Sequence, residues 1–328
     1  SSVTRAPSWR IRALRAALRW VQRPRLERMT DVHPMRVGLE RAGALIAPAR
    51  GARVTEDAAP GPDGGRIPLI WVEPAPLAPA PPTLAAPPAA AILYLHGGGY
   101  VAGSERSHLG LISALAAAAG APALSVGYRL APEHPLPAAL EDAAAAHRAL
   151  SAARAPGGET PRVALAGDSA GGGLALALAG ALEDAGAPAP AALALFSPFT
   201  DLALESDSLA RNADVECMLP ASRLAETAAL ILGPGGDPYD PRVSPARRRF
   251  ARTPPPCLIQ VGSEEILLDD SLRAAEALRA AGGSVELEVW DRAPHCWQFF
   301  PPHLPEARAA LARAGAFLSR GFAAAPAA

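Results

Sequence analysis

The chain has 328 residues, half of them apolar, which suits one large α/β domain or such a domain with a small cap. A formal net charge of −1 gives no electrostatic reason to expect nucleic acid, and no uninterrupted apolar run reaches membrane-spanning length. Three cysteines, Cys217, Cys257 and Cys296, are far apart and odd in number, so they form neither a metal spacing nor a disulfide framework and point to a reducing compartment, the cytoplasm. No signal peptide with a compact apolar core and a cleavage site is evident.

Residues 1–53 are basic and helical in pattern. Ile11, Leu14, Leu18 and Val21 recur at helical spacing, with Arg10, Arg12, Arg15 and Arg19 between them. The pattern fits an amphipathic cap helix packed on the body with its arginines in water. A membrane-surface helix or a transit peptide is the alternative. A second helix is expected over about 34–47, stopped by Pro48. Two strand-like pieces lie between residues 54 and 90, the clearer over 66–73. Residues 74–90 are rich in Pro and Ala and read as an exposed loop.

Residues 91–95 (A-I-L-Y-L) are a continuous apolar run, suited to a parallel strand buried on both faces. The run ends in His96-Gly97-Gly98-Gly99-Tyr100. Three glycines after a strand expose backbone N–H groups with no side chains in the way, which suits a pocket for an oxyanion; a flexible glycine turn is the plainer reading. A helix is expected over 107–119 and a strand over 123–128. Three prolines, Pro132, Pro135 and Pro137, then forbid a regular helix, so the segment is a rigid loop leading into a helix over about 138–152. Glu133 and His134 are acid–base candidates, but polar contacts that tie the loop down, together with Arg129, are the simpler role.

The chain is organised around residues 163–173, V-A-L-A-G-D-S-A-G-G-G. A short buried strand runs into Gly167-Asp168-Ser169-Ala170-Gly171, and a helix follows. A serine at so tight a strand-to-helix turn sits in strained backbone, and side chains on either flank would clash there. Its oxygen is lifted to a helix N-terminus, where free N–H groups favour developing negative charge. The pattern alone also fits a glycine-rich turn with a capping serine. Beyond it, strands are expected over 191–196, 256–261 and 285–290, with helices over 271–281 and 305–322. Residues 204–250 lack this alternation and read as an insertion lying over the site. The whole implies a mostly parallel, eight-stranded sheet covered by helices on both faces. Val285–Trp290, the last strand, offers an edge through which a homodimer would pair.

An attacking serine needs a base, and the base needs a carboxylate to hold its tautomer. Ser169, Glu265 and His295 each occupy a loop after a strand, where open parallel sheets build their sites, and they occur in the order nucleophile, acid, histidine. His33, His108, His147 and His303 fit less well, and His96 reads as structural.

These residues carry a resemblance. H-G-G-G at 96–99, Y-R-L-A-P-E-H-P-L-P-A-A-L-E-D at 128–142, G-D-S-A-G-G at 167–172, S-P-F-T-D-L at 197–202, D-P-R-V-S-P at 240–245 and the His295 loop resemble the hormone-sensitive-lipase-like family of α/β-hydrolases, the bacterial family IV esterases. The resemblance covers about residue 92 to the C-terminus. It implies an α/β-hydrolase fold and a serine carboxylesterase without cofactor or metal, acting on small-molecule esters with acyl chains from acetyl to about octanoyl. It also implies a cap built from residues 1–50 and about 203–250 over a catalytic domain of residues 51–328. Ser169 maps to the nucleophile and His295 to the base. The N–H groups of Gly98, Gly99 and Ala170 map to the oxyanion hole, with Gly97 beside them. Tyr100, Asp168 and Met218 are candidate substrate contacts. Trp9, Trp20 and Met35 are cap residues open to either a pocket or a core role. One departure stands out: the family's acid is usually Asp in D-x-L-x-D, and here Glu265-Ile266-Leu267-Leu268-Asp269 carries Glu. Glu264 is the alternative acid, while Asp269 and Asp270 suit a helix start. The same fold also serves amide, carbamate or lactone hydrolysis, and the family includes plant gibberellin receptors, which lack the base that His295 supplies here.

Overall fold

A computed structural model describes residues 7–324 and the backbone of Ser2–Val3. The strand β1 (Ser2–Val3) precedes helix α1 (Trp9–Ala17), whose first turn is capped by Ser8: its Oγ accepts from Ile11 N at 3.3 Å. The helix widens into a π turn over Leu18–Gln22 and continues as α2 (Arg23–Glu27); α3 (His33–Ala44) follows. The hairpin β2 (Arg53–Pro60) and β3 (Arg66–Glu73) leads to β4 (Ala90–Leu95), α4 (Leu109–Ala119), β5 (Ala123–Val126) and α5 (Ala138–Ala152). Then come β6 (Arg162–Asp168), α6 (Ala170–Asp184) and β7 (Leu193–Phe196). The segment before the next strand holds only the short α7 (Ser208–Arg211), α8 (Ala221–Leu232) and a 3₁₀ turn at Pro245–Arg247. β8 (Cys257–Gly262), α9 (Leu268–Ala280), β9 (Val285–Trp290) and α10 (Pro305–Ala323) complete the chain.

The strands form one sheet in the order β1-β9-β8-β7-β6-β4-β5-β3-β2. Every pairing is parallel except β2 with β3 and β3 with β5. The eight expected strands are present, and β1 adds a ninth too short to be read from periodicity. It also corrects the expectation that β9 is the open edge: Ser2 and Val3 lie alongside Val289 and Trp290. A second difference is local. The helix expected from 107 begins at Leu109, leaving His108 ahead of it with its ring held by Asp168.

The run A-I-L-Y-L shows why the central strands are apolar throughout. Leu93 and Leu95 enter the core under α5 and α6, while Ile92 and Tyr94 enter the core under α4 and α10. Burial on both faces fixes the sheet, and the carboxyl ends of β4, β6, β8 and β9 deliver four loops to one rim.

Candidate active site

The turn after β6 has the strain its glycines imply. Ser169 has φ 52° and ψ −121°, and it is held by its N–H donating to Phe196 O at 2.8 Å. A Cβ at Gly167 would stand 2.4 Å from Gly171 O, and one at Gly171 would stand 2.0 Å from Leu95 O. Backbone thus passes backbone on both flanks of the serine, and no larger residue fits.

Three loops converge on it. Ser169 Oγ lies 2.9 Å from His295 Nε2, and His295 Nδ1 lies 2.7 Å from Glu265 Oε2. Nδ1–H donating to Glu265 leaves Nε2 free to accept the serine proton. Glu265 is 1% exposed, and its other oxygen accepts from Gly262 N at 2.6 Å and Ser197 Oγ at 2.7 Å. Burial alone would push the His295 imidazole down. The hydrogen bond and charge of Glu265, with Glu216 and Asp168 beyond, outweigh it and hold the pKa above the ordinary value. Glu264 is turned elsewhere: it pairs with Arg15 and with Arg292. Asp269 and Asp270 lie in the first turn of α9, as a helix start requires. Asp269 accepts from Ser208 N, and buried Asp270 accepts from Thr200 N, Asp201 N and Ser206 Oγ. Burial pushes the Asp270 pKa up to about 6.

The glycine loop after β4 lies beside the serine. Among the described residues, no hydrogen bond occupies the N–H of Gly98 or Gly99. Ala170 is the first residue of α6, where N–H groups lack helical acceptors. Gly97 is different: its N–H donates to Asp168 Oδ1 at 3.0 Å, so it braces the loop and is not itself a free donor.

Asp168 also departs from its expected place among substrate contacts. It is 3% exposed, and it accepts from Tyr94 OH at 2.7 Å and faces His108 Nε2 at 3.3 Å. Burial opposes its charge, but His108 and these donors prevail and hold the carboxyl down at about 2. His96 is structural, as expected. It stacks on Tyr128 at 4.2 Å, its carbonyl accepts from Tyr128 OH at 2.6 Å, and burial pushes its imidazole down to about 4. Tyr100 is buried, with φ 58° and its carbonyl accepting from Ala131 N. Met218 is half-buried, and its N–H donates to Glu216 at 2.8 Å. Trp9 and Trp20 face outward, whereas Met35 packs on the main core. In the proline loop, Arg129 binds buried Asp142 at 2.9 Å and Glu133 binds Arg36 at 2.6 Å, the tethering role expected of them.

Sequence reasoning missed a clamp on the loop that carries Glu265. Ser208 Oγ donates to Ile266 O at 2.6 Å, Asn212 Nδ2 donates to Glu265 O at 2.8 Å, and Glu216 Oε2 accepts from Ile266 N at 3.2 Å. All three residues are buried and belong to the insertion after β7. Burial raises the Glu216 pKa, and the neighbouring Glu265 charge raises it further. The segment has no periodicity that would have marked them. Ser197 was within reach, since it opens the S-P-F-T-D-L piece directly after a strand.

Among the described residues no cluster of His, Cys, Asp and Glu has the form of a metal site, and no helix is long and apolar enough to cross a membrane. A family model described as alpha/beta hydrolase fold matches residues 92–299. An acetyl-hydrolase of Streptomyces hygroscopicus is 48% identical over 227 residues, covering 69% of this chain and 74% of that protein. The esterase EstE5, solved after soaking with p-nitrophenyl butyrate, superposes with a TM-score of 0.84 at 36% identity over 97% of this chain and 100% of its own. An esterase of the bacterial hormone-sensitive lipase family gives a TM-score of 0.83 at 37% identity, with the same coverage of both chains. The chain belongs to the alpha/beta hydrolase fold family and, within it, to the hormone-sensitive-lipase-like family IV esterases, and it is a carboxylic ester hydrolase.

Proposed function

We propose that hydrolysis runs through a serine acyl-enzyme on short- to medium-chain esters. The observation that carries this reading is the unbroken chain Ser169–His295–Glu265 beside the unoccupied N–H groups of the glycine loop. Ser169 Oγ attacks the ester carbonyl as His295 Nε2 takes its proton, and Glu265 stabilises the imidazolium. The carbonyl oxygen gains negative charge within reach of Gly98, Gly99 and Ala170 N–H, each donor worth about 3 kcal/mol to the transition state. His295 returns the proton to the departing alcohol. Water then gives a proton to His295 Nε2 and attacks the acyl carbonyl, the acyl–Oγ bond breaks, His295 returns the proton to Ser169 Oγ, and the carboxylic acid departs.

Residues up to 50 and about 203–250 serve as the cap. Two contacts support this: a Cβ at Gly98 would stand 3.1 Å from a Leu39 methyl, and one at Gly99 would stand 3.8 Å from the Thr227 methyl. Helices α3 and α8 therefore overhang the donors, and Arg223 joins the two parts through Met29 O at 2.5 Å. Tyr100 and Met218 border the acyl side. The acetyl-hydrolase relative and the butyrate-soaked neighbour favour small acyl groups. The test is a p-nitrophenyl ester series with the organophosphate paraoxon as inhibitor. Rates should peak at or below octanoate, and paraoxon should leave one diethylphosphoryl group on the Ser169 peptide. A peak on long-chain emulsified triglyceride ends the chain-length reading, and a phosphorylated residue elsewhere ends the mechanism.

Acid limits follow from the base. His295 must be neutral to accept a proton, and protonation grows as pH falls. Its pKa lies above the ordinary 6.5, so kcat/KM for the butyrate ester should decline with an inflection above that value. An inflection clearly below 6.5 would mean that burial of the imidazole outweighs its hydrogen bond to Glu265.

The free thiols Cys217, Cys257 and Cys296 support a cytoplasmic setting, which fractionation would test: recovery from the extracellular medium or another oxidising compartment counts against it. A homodimer through β9 requires β1 to leave Val289 and Trp290, and a monomer by light scattering ends that reading.

A further inference from the structure

The outer face of the first helix is not used by the site. Its inner face is fully engaged. Ile11 and Leu18 are buried, Arg15 binds Glu264 and the carbonyl of Arg292, and Arg23 reaches the carbonyls of Ala213 and Glu216 at 2.9 and 2.6 Å. On the opposite side Trp9, Ala13 and Ala16 follow the α-helical spacing i, i+4, i+7 in one stripe, and Trp20 follows in the π turn. All four are exposed, Trp9 by 67% and Trp20 by 75%. Arg12 and Arg19 flank the stripe, and Arg25 and Arg28 continue along the helix. Among the described residues these four guanidinium groups have no ion pair. Between Trp9 and Arg28 the only acidic residue is Glu27, and Arg23 already neutralises it at 3.0 Å.

We propose that this face docks on an anionic lipid bilayer surface. The helix lies in the plane of the interface, Trp9 and Trp20 enter the headgroup–acyl boundary, and the unpaired arginines meet lipid phosphates. Two observations favour lipid over other occupants. Indole rings bury apolar surface while keeping an N–H for polar headgroups, which suits a boundary between water and hydrocarbon. The charge is also local: residues 9–28 hold seven arginines and one glutamate while the chain as a whole carries −1, so attraction to an anionic surface is concentrated on this helix and sets the docking orientation. Unlike a spanning segment, such a helix needs no long apolar run. Its inner face is tied to Glu264, beside the triad acid, so docking places the acid loop at a fixed distance from the lipid.

The full chain is mixed with vesicles of phosphatidylcholine, with and without phosphatidylglycerol, and binding is read by co-sedimentation and by the blue shift of tryptophan emission. Binding should require phosphatidylglycerol and fall steeply with added salt. The double variant Arg12→Glu/Arg19→Glu should bind at least about thirtyfold more weakly, since each basic residue near an anionic surface contributes about fivefold. Trp9→Ser/Trp20→Ser should bind about tenfold more weakly and lose the blue shift. Hydrolysis of soluble p-nitrophenyl butyrate should be unchanged in both variants, which shows that they are folded and separates docking from catalysis. No sedimentation with phosphatidylglycerol vesicles, or sedimentation equal in wild type and both variants, overturns the proposal and leaves the face to a protein partner.

Discussion

Ser169→Ala should lower kcat on p-nitrophenyl butyrate by about 10⁴-fold or more while leaving the thermal midpoint within about 2 °C of wild type. The two halves of this expectation have separate physical grounds. Alanine keeps the Cβ and therefore the strained φ of 52°, and the bonds that pin the turn are all backbone: Ser169 N to Phe196 O, and Gly173 N and Phe199 N to Ser169 O. The one interaction removed is Oγ with His295 Nε2, at a position open enough for water to replace it. Stability therefore hardly changes. Activity falls because nothing takes the place of Oγ. Cys296 Sγ also lies near Nε2, at 3.4 Å, but it is buried and its thiol is pushed far above the ordinary value, so it forms no thiolate to attack an ester. With the N–H groups of Gly98, Gly99 and Ala170 holding the oxyanion as proposed, a residual rate above that of water should remain. An alanine variant within tenfold of wild type sinks the covalent mechanism, though not the assignment to an ester hydrolase.

What the chain disclosed in advance follows from how many meanings a residue can carry. Gly167 and Gly171 have one meaning at a strand–serine–helix turn, because Cβ atoms there would meet Gly171 O and Leu95 O well inside contact distance. The buried strands were legible for the same reason: residues 91–95 have no polar face to offer water. Asp168 has two meanings. Next to a nucleophile, a carboxylate reads as a substrate contact, and only the fold brings Tyr94 and His108 to it from β4 and the start of α4. His108 was hidden too, since a histidine before an alanine-rich helix looks like part of that helix. In the insertion after β7, Ser208, Asn212 and Glu216 act through single hydrogen bonds to one loop. Contacts of that kind leave no period in a sequence. β1 escaped because two residues cannot show alternation.

Glu265, the acid of the proposed mechanism, stands where the resembled pattern carries Asp, and its replacement has the second large expected effect. Glu265→Gln should lower kcat by about 10³- to 10⁴-fold, whereas Glu264→Gln should stay within about threefold of wild type. Oε1 of Glu265 receives Gly262 N and Ser197 Oγ, so in the Glu265→Gln variant the amide oxygen takes that side and the NH₂ turns to His295 Nδ1. Nδ1 must then accept, the ring proton moves to Nε2, and Nε2 can no longer take the proton of Ser169. The shape is kept and the tautomer is lost, so the loss falls on kcat with KM little changed. Glu264 has no such leverage. Its partners Arg15 and Arg292 are partly exposed, and ion pairs of that kind contribute at most about 1 kcal/mol. Glutamate reaches the imidazole despite its extra methylene because the clamp of Ser208, Asn212 and Glu216 fixes the loop around Ile266. Glu265→Asp should therefore lose contact with Nδ1 and fall below wild type, although aspartate is the family's usual acid. If Glu265→Asp is as active as wild type, the loop moves to meet the shorter side chain and the clamp does not set the position of the acid.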